Sequence, residues 1–162
     1  MSGPRIPPVL AHAVQQDVSR YGAAGVETGM FLLGPREGSV TTVAFAGTAG
    51  VTRRRDQFAV TGSALACLFR YASDGDLLVM AQVHSHGRGA FLSETDLRYG
   101  FAVEGFTTAV IPNYRNPPAD PRAWGWWRYA NGGWDITPPF MIGGSAAQAT
   151  EVRFDEDGVR AS

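Results

Sequence analysis

Apolar positions change their period along the first third of the chain. Leu10, Val14, Val18 and Tyr21 recur near helical spacing, with Gln15, Gln16 and Ser19 between them, which predicts a helix over Val9 to Tyr21. Pro8 near its start and Gly22 just past its end fit the punctuation of a helix. Thr28-Gly29-Met30-Phe31-Leu32-Leu33-Gly34, led in by Val26-Glu27, reads instead as a buried strand. Ser39 to Ala46 is rich in β-formers and is expected to pair with it across the turn between Gly34 and Gly38. A loop with Arg53-Arg54-Arg55, read as a solvated run, leads to Phe58-Ala59-Val60.

From Ser63 onward, Leu65, Leu68, Phe69 and Ala72 mark a second amphipathic helix. Leu77 to Val83 is apolar apart from Gln82, as a central strand should be, and it delivers His84 at its carboxyl end. A short helix over Ser93 to Phe101 and a strand over Thr107 to Ile111 follow. Ala123 to Tyr129 and Gly133 to Ile136 form a hairpin around Asn131-Gly132, a strong turn signal. Alternation sets Trp124 and Trp126 against Trp127, leaving an exposed aromatic as a partner patch unless the whole sheet packs on its core. The expected fold class is α/β (α+β), a mixed β-sheet flanked by helices, with residues 1–142 as its domain. Residues 143–162 are small and polar, and are read as either a mobile tail or one added edge strand.

Composition narrows the function. At 162 residues the chain fits one domain, and 14 basic against 15 acidic residues leave no broad footprint for nucleic acid or anionic lipid. No apolar run approaches the roughly 20 residues of a membrane span, and Met1 to Pro8 lacks an apolar signal region, so a cytoplasmic protein is expected. Cys67, the single cysteine, excludes an internal disulfide and is read as a core thiol. Every basic residue is Arg. That absence of Lys fits codon bias in a GC-rich genome, and also an enzyme working among lysine-conjugating machinery.

The chemistry concentrates in His84-Ser85-His86 and Ser93-Glu94-Thr95-Asp96. Imidazoles two apart point to one side of a strand, and a carboxylate inside the next helix can close on them. Two nitrogens and one hard oxygen suit Zn²⁺, and three protein ligands leave the open position that a catalytic site needs. Ser93 and Asp96 also have the spacing of a capping box, and the two readings are compatible, because the cap would fix the carboxylate. His12 is read as an ordinary helix residue and Ser85 as structural. Neither Cys67 nor any Ser has a neighbouring His in a nucleophile motif.

These segments resemble the JAMM (JAB/MPN) metalloprotease family: a Glu on an early strand, His-x-His, then Ser-x-x-Asp opening a helix. Val26 to Gly34, Val83 to His86 and Phe91 to Leu97 match that order. The chain departs from the pattern in having Gly87 where a proline usually stands, and six residues between His86 and Ser93 where seven are more common. The resemblance implies an MPN/JAB-like (cytidine-deaminase-like) fold, with His84, His86 and Asp96 holding one catalytic Zn²⁺ and water as the fourth ligand. It also implies Glu27 as general base and acid, and Ser93 as a hydrogen-bond donor to the oxyanion; read without it, Glu27 is a solvated carboxylate at a strand end. With three His and one Cys, the second, structural zinc of some eukaryotic relatives is ruled out.

Members of that family cleave after the carboxyl-terminal Gly-Gly of ubiquitin or ubiquitin-like proteins. The implied function is therefore a zinc isopeptidase or peptidase for deconjugation or precursor processing, resembling the small prokaryotic members. The implied partner is a ubiquitin-like protein, with E1-like and E2-like enzymes of a bacterial conjugation system, such as one in antiphage defence. The alternatives are a non-catalytic MPN-type scaffold and a peptidase maturing a sulfur-carrier protein.

Overall fold

The structure, a computed structural model, describes residues 3–162 apart from the side chain of Tyr99. A two-residue strand β1 (Arg5–Ile6) leads into helix α1 (Pro8–Ala23), where Pro8 occupies the first turn without losing a hydrogen bond. Leu10, Val14 and Val18 form its buried stripe. Then come β2 (Gly29–Gly34) and β3 (Thr42–Ala46), antiparallel partners as expected. β3 starts three residues later than the composition implies, because the Val40 amide bonds to the Arg5 carbonyl instead (2.9 Å).

Strands β4 (Val51–Arg54) and β5 (Gln57–Val60) form a separate hairpin. The Arg run is therefore not simply a solvated loop. Arg54 and Arg55 are exposed, but Arg53 is half-buried. Its guanidinium donates to the Thr28 hydroxyl (2.9 Å) and to the Gly47 and Ala46 carbonyls, and it stacks 4.0 Å from the Tyr21 ring centre. Helix α2 (Gly62–Asp74) is capped by the Thr61 hydroxyl, and β6 (Leu78–Ser85) follows. After α3 (Glu94–Tyr99) come β7 (Thr107–Ile111), β8 (Gly125–Ala130), β9 (Gly133–Ile136), β10 (Met141–Ile142), β11 (Thr150–Asp155) and β12 (Gly158–Ala161).

Eight strands make one mixed sheet in the order β12-β11-β3-β2-β6-β7-β8-β9, with parallel pairs β3/β11 and β6/β7. β1 and β10 pair separately. Side chains alternate across the sheet, so each strand supplies two cores. Met30, Leu32, Phe45 and Val83 face α1, whereas Phe31, Leu33, Ala44 and Phe154 face α2 through Ala64 and Leu68. This is a mixed α+β architecture with a large sheet flanked by helices. Among the described residues, no helix is long and apolar enough to cross a membrane.

Three further sequence expectations differ from the structure. Residues 143–162 hold two strands, not one edge strand or a mobile tail: β11 lies inside the sheet between β3 and β12, with Phe154 fully buried. No tryptophan is exposed either. Trp124 and Trp126 stack 5.8 Å apart in the core and give their indole N–H groups to the Pro118 and Pro121 carbonyls, while Trp127 and Trp134 are half-buried. Ile136, 87% exposed, is the apolar side chain that this hairpin presents to solvent. Cys67 lies on a half-buried flank of α2, its sulfur 4.0 Å from the Glu156 carbonyl, and not in the core.

Candidate metal centre

The register of the central strands builds the site. β2 and β6 run antiparallel with Gly29 opposite His84, so positions 27, 29 and 31 share a face with 82, 84 and 86. That face holds Glu27, His84 and His86, each 5% exposed. His84 ends the apolar part of β6 between β2 and β7. His86, one residue past the strand, remains tethered because its amide donates to the Ile111 carbonyl (2.8 Å). Ser85 points the other way and locks the two strands together: its hydroxyl oxygen accepts from the Thr28 amide (2.9 Å), and its own amide donates to the Thr28 carbonyl (2.9 Å). The Glu27 amide donates to the Arg54 carbonyl (2.8 Å), tying the base of the β4–β5 hairpin to the same site. Gly29 is required by space, since a Cβ there would lie 2.3 Å from the Phe58 ring.

Asp96 arrives from α3. Ser93 caps this six-residue helix: its hydroxyl accepts from the Asp96 amide (3.1 Å), while its own amide donates to Asp96 Oδ2 (2.9 Å). That reciprocal pair leaves the carboxylate straddling both imidazoles. Asp96 Oδ1 lies 3.1 Å from His84 Nε2, Oδ2 lies 3.1 Å from His86 Nε2, and the two Nε2 atoms are 3.2 Å apart. A tetrahedral ion with bonds of about 2.0–2.1 Å has ligand–ligand edges of roughly 3.3 Å. The three donors therefore sit at the spacing of one face of such a polyhedron. Glu27 also belongs to the cluster, its carboxylate and the two imidazoles offering atoms within 4.8 Å of one another. Among the described residues the ion pairs of the two rings are with Asp96 and not with Glu27. The Glu27, His84 and His86 group could hold a metal ion, and Asp96 lies against both imidazoles.

Charge coupling pervades the cluster. Burial pushes the Glu27 carboxyl up to about 8; the His86 charge opposes that shift, while Asp96 and Asp56 reinforce it. Burial alone would lower His86, but the hydrogen bond to Asp96 and the negative charges of Glu27 and Asp96 outweigh it and raise the imidazole. For Asp96 burial opposes ionisation, yet hydrogen bonds from both imidazoles and the Ser93 amide hold it well below the usual carboxylate range. Such opposed shifts in one cleft mark a functional candidate.

All five sequence-selected residues belong to one cluster: Glu27 lies near His84 and His86, Asp96 reaches both imidazoles, and Ser93 holds Asp96; His84 and Asp96 line the adjoining cleft. Three further wall residues did not emerge from the sequence. Phe58 of β5, Trp134 of β9 and Gln82, the polar exception in β6, line the cleft together with Leu92. An apolar pocket continues from it between Phe31, Leu65 and Phe101.

No protein-family model matches the chain, and no curated protein sequence matches it. Among solved structures it is similar to the solution structure of a structural-genomics protein from Desulfitobacterium hafniense, 15% identical, with a TM-score of 0.65 over 84% of this chain and 90% of that one. At that identity the likeness speaks to the fold alone: a large mixed sheet with flanking helices.

Proposed function

We propose that the chain is a zinc-dependent isopeptidase or peptidase of the JAMM (JAB/MPN) type, cleaving after the carboxyl-terminal Gly-Gly of a ubiquitin-like protein. The supporting observation is the convergence of two imidazoles and a capped carboxylate at 3.1–3.2 Å, with Glu27 set back from them. When bound, zinc supplies Lewis acidity and lowers the pKa of water to about 7.

The chain's own residues would do the rest. Glu27, set back from the imidazoles, would take a proton from water and return it to a leaving amine. Burial raises its carboxyl in metal-free protein, and a dication beside it would favour the ionised form that this role needs. The Ser93 oxygen already accepts from the Asp96 amide, so its hydrogen is free to point at a substrate carbonyl oxygen. Phe58, Leu92 and Trp134 line the space beside His84 and Asp96, where a substrate backbone would lie.

Two measurements test this reading. Mass spectrometry of the native protein should find one zinc per chain, and none in His84→Ala. The wild type should remove an extension placed after the Gly-Gly of ubiquitin-like fusion proteins, followed by intact mass, and Glu27→Gln should keep zinc while losing a factor of roughly 10²–10⁴ in rate. A wild-type chain that purifies without stoichiometric metal overturns the proposal in favour of a non-catalytic scaffold.

A further inference from the structure

Tyr114 lies just beyond β7 and is 4% exposed, although it belongs to a loop. Its amide donates to the His86 carbonyl (2.9 Å), and its phenol hydroxyl faces the carbonyls of Gly25 (2.9 Å) and Arg55 (3.3 Å). Gly25 precedes Glu27 by two residues. Arg55 follows Arg54, whose carbonyl receives the Glu27 amide. One residue thus reaches both sides of the cluster, through its main-chain amide at His86 and through its side-chain hydroxyl near Glu27.

The ring also occupies space that a side chain at 87 would need. A Cβ on Gly87 would lie 3.1 Å from the Tyr114 Cζ, 3.2 Å from its hydroxyl oxygen and 3.3 Å from Cε2. Gly87 has no left-handed backbone, so the demand for glycine there is one of volume and not of conformation. The ring has nowhere to retreat. Its hydroxyl is bonded on the far side, and the end of α1 presses on its main chain so closely that a Cβ on Gly22 would fall 1.8 Å from the Tyr114 carbonyl oxygen.

We propose that Tyr114 is a positioning residue: it fixes His86 relative to Glu27, and by filling the space beside Gly87 it obliges glycine to follow the second imidazole. This rests on the zinc reading given above, and it makes no claim on the substrate. Any side chain at 87 must push against a braced ring, and the strain returns to the next residue, His86, whose Nε2 is one of the converging donors.

The test is a double-mutant cycle on the full chain, read by zinc affinity against a chromophoric chelator and by the visible absorption of the cobalt(II) form at saturating metal. Gly87→Ala should weaken zinc by about tenfold or more, the usual scale for groups that orient a ligand, and should shift the cobalt bands. In a Tyr114→Leu background the same alanine should cost much less, because the space is then open. Should Tyr114→Leu fail to fold, Tyr114→Phe frees the ring from both hydrogen bonds and should reduce the cost in the same direction. Wild-type zinc affinity and cobalt spectrum in Gly87→Ala, or effects that simply add, would overturn the positioning role while leaving the zinc reading standing. Absence of metal from the wild type would overturn both.

Discussion

Replacing Ser93 by Ala separates two roles that one residue holds at once. The substitution removes the hydroxyl that accepts from the Asp96 amide at 3.1 Å, but keeps the Ser93 amide that donates to Asp96 Oδ2 at 2.9 Å. Loss of an N-cap hydroxyl costs about 1 kcal/mol. In a domain of this size that corresponds to a fall in Tm of roughly 2–4 °C. The fall should lie at or below the small end, because α3 has only six residues and can fray without unfolding the sheet. Metal affinity should move further. Half of the reciprocal pair that aims Asp96 at the two imidazoles is gone, and losses of about tenfold, some 1.4 kcal/mol, are typical for such supporting groups. Calorimetry gives the first number and chelator competition the second, with Ser93→Thr as the control that restores both. Unchanged zinc affinity alongside a lowered Tm would refute the orienting role and leave Ser93 as a cap alone.

The remaining predictions concern the groups around this site and the sheet that carries it. In metal-free protein Glu27 has a folded pKa of about 8 against an ordinary 4.5, so the folded chain keeps a proton that the unfolded chain releases. Stability should therefore fall as pH rises through that window, and Glu27→Gln should flatten the profile relative to wild type; parallel melting curves for the two would contradict this. Asp155 is nearly fully buried and accepts from the Thr48 and Asp157 amides and from Arg160, chiefly the last of which holds its pKa below the usual range. Its stabilisation is present above the ordinary carboxylate pKa and disappears as pH falls through the lower folded value. Asp155→Asn should cost about 2 kcal/mol near neutrality and remove that acid dependence, as denaturant titrations at several pH values would reveal. Deleting residues 149–162 removes β11 from inside the sheet and uncovers Leu68 and Ala44, leaving a chain without a cooperative thermal transition. A sharp melt in that truncated chain would show that β11 is dispensable.

Much of the site is legible in the amino-acid sequence because its logic is periodic. His84 and His86 are two apart at the end of an apolar strand, and Ser93 and Asp96 are three apart at a helix start; each spacing fixes a direction in space. Glu27 is different: it joins the cluster only through the antiparallel register of β2 on β6, which no local pattern specifies. The role of Arg53 is hidden for a related reason. Its partners are the carbonyls at the end of β3 and a hydroxyl 25 residues away, and main-chain acceptors leave no trace in a sequence. Tyr114 and Gly87 escape notice because their complementarity is volumetric. The alternation of Val152 and Phe154 carries a strand signal at the carboxyl end, but the small polar residues before it mask the period.

The donors of the candidate centre are held with unequal stiffness, and this bears on how ion binding and local order are linked. His84 sits inside a sheet covered on both faces, and His86 is pinned through its main chain by Ile111 and Tyr114. Asp96 rides on a helix too short to persist alone, with Leu97 half in solvent and the downstream Phe101 packed edge-on against Phe31 and Phe69. A cation that engages all three must hold α3 in place, so part of its binding free energy appears as local order in that helix. Linkage makes the relation reciprocal: whatever frays α3 weakens the ion by the same factor that the ion suppresses fraying. The capping box is therefore placed where it has most leverage, on the one donor that the sheet does not hold.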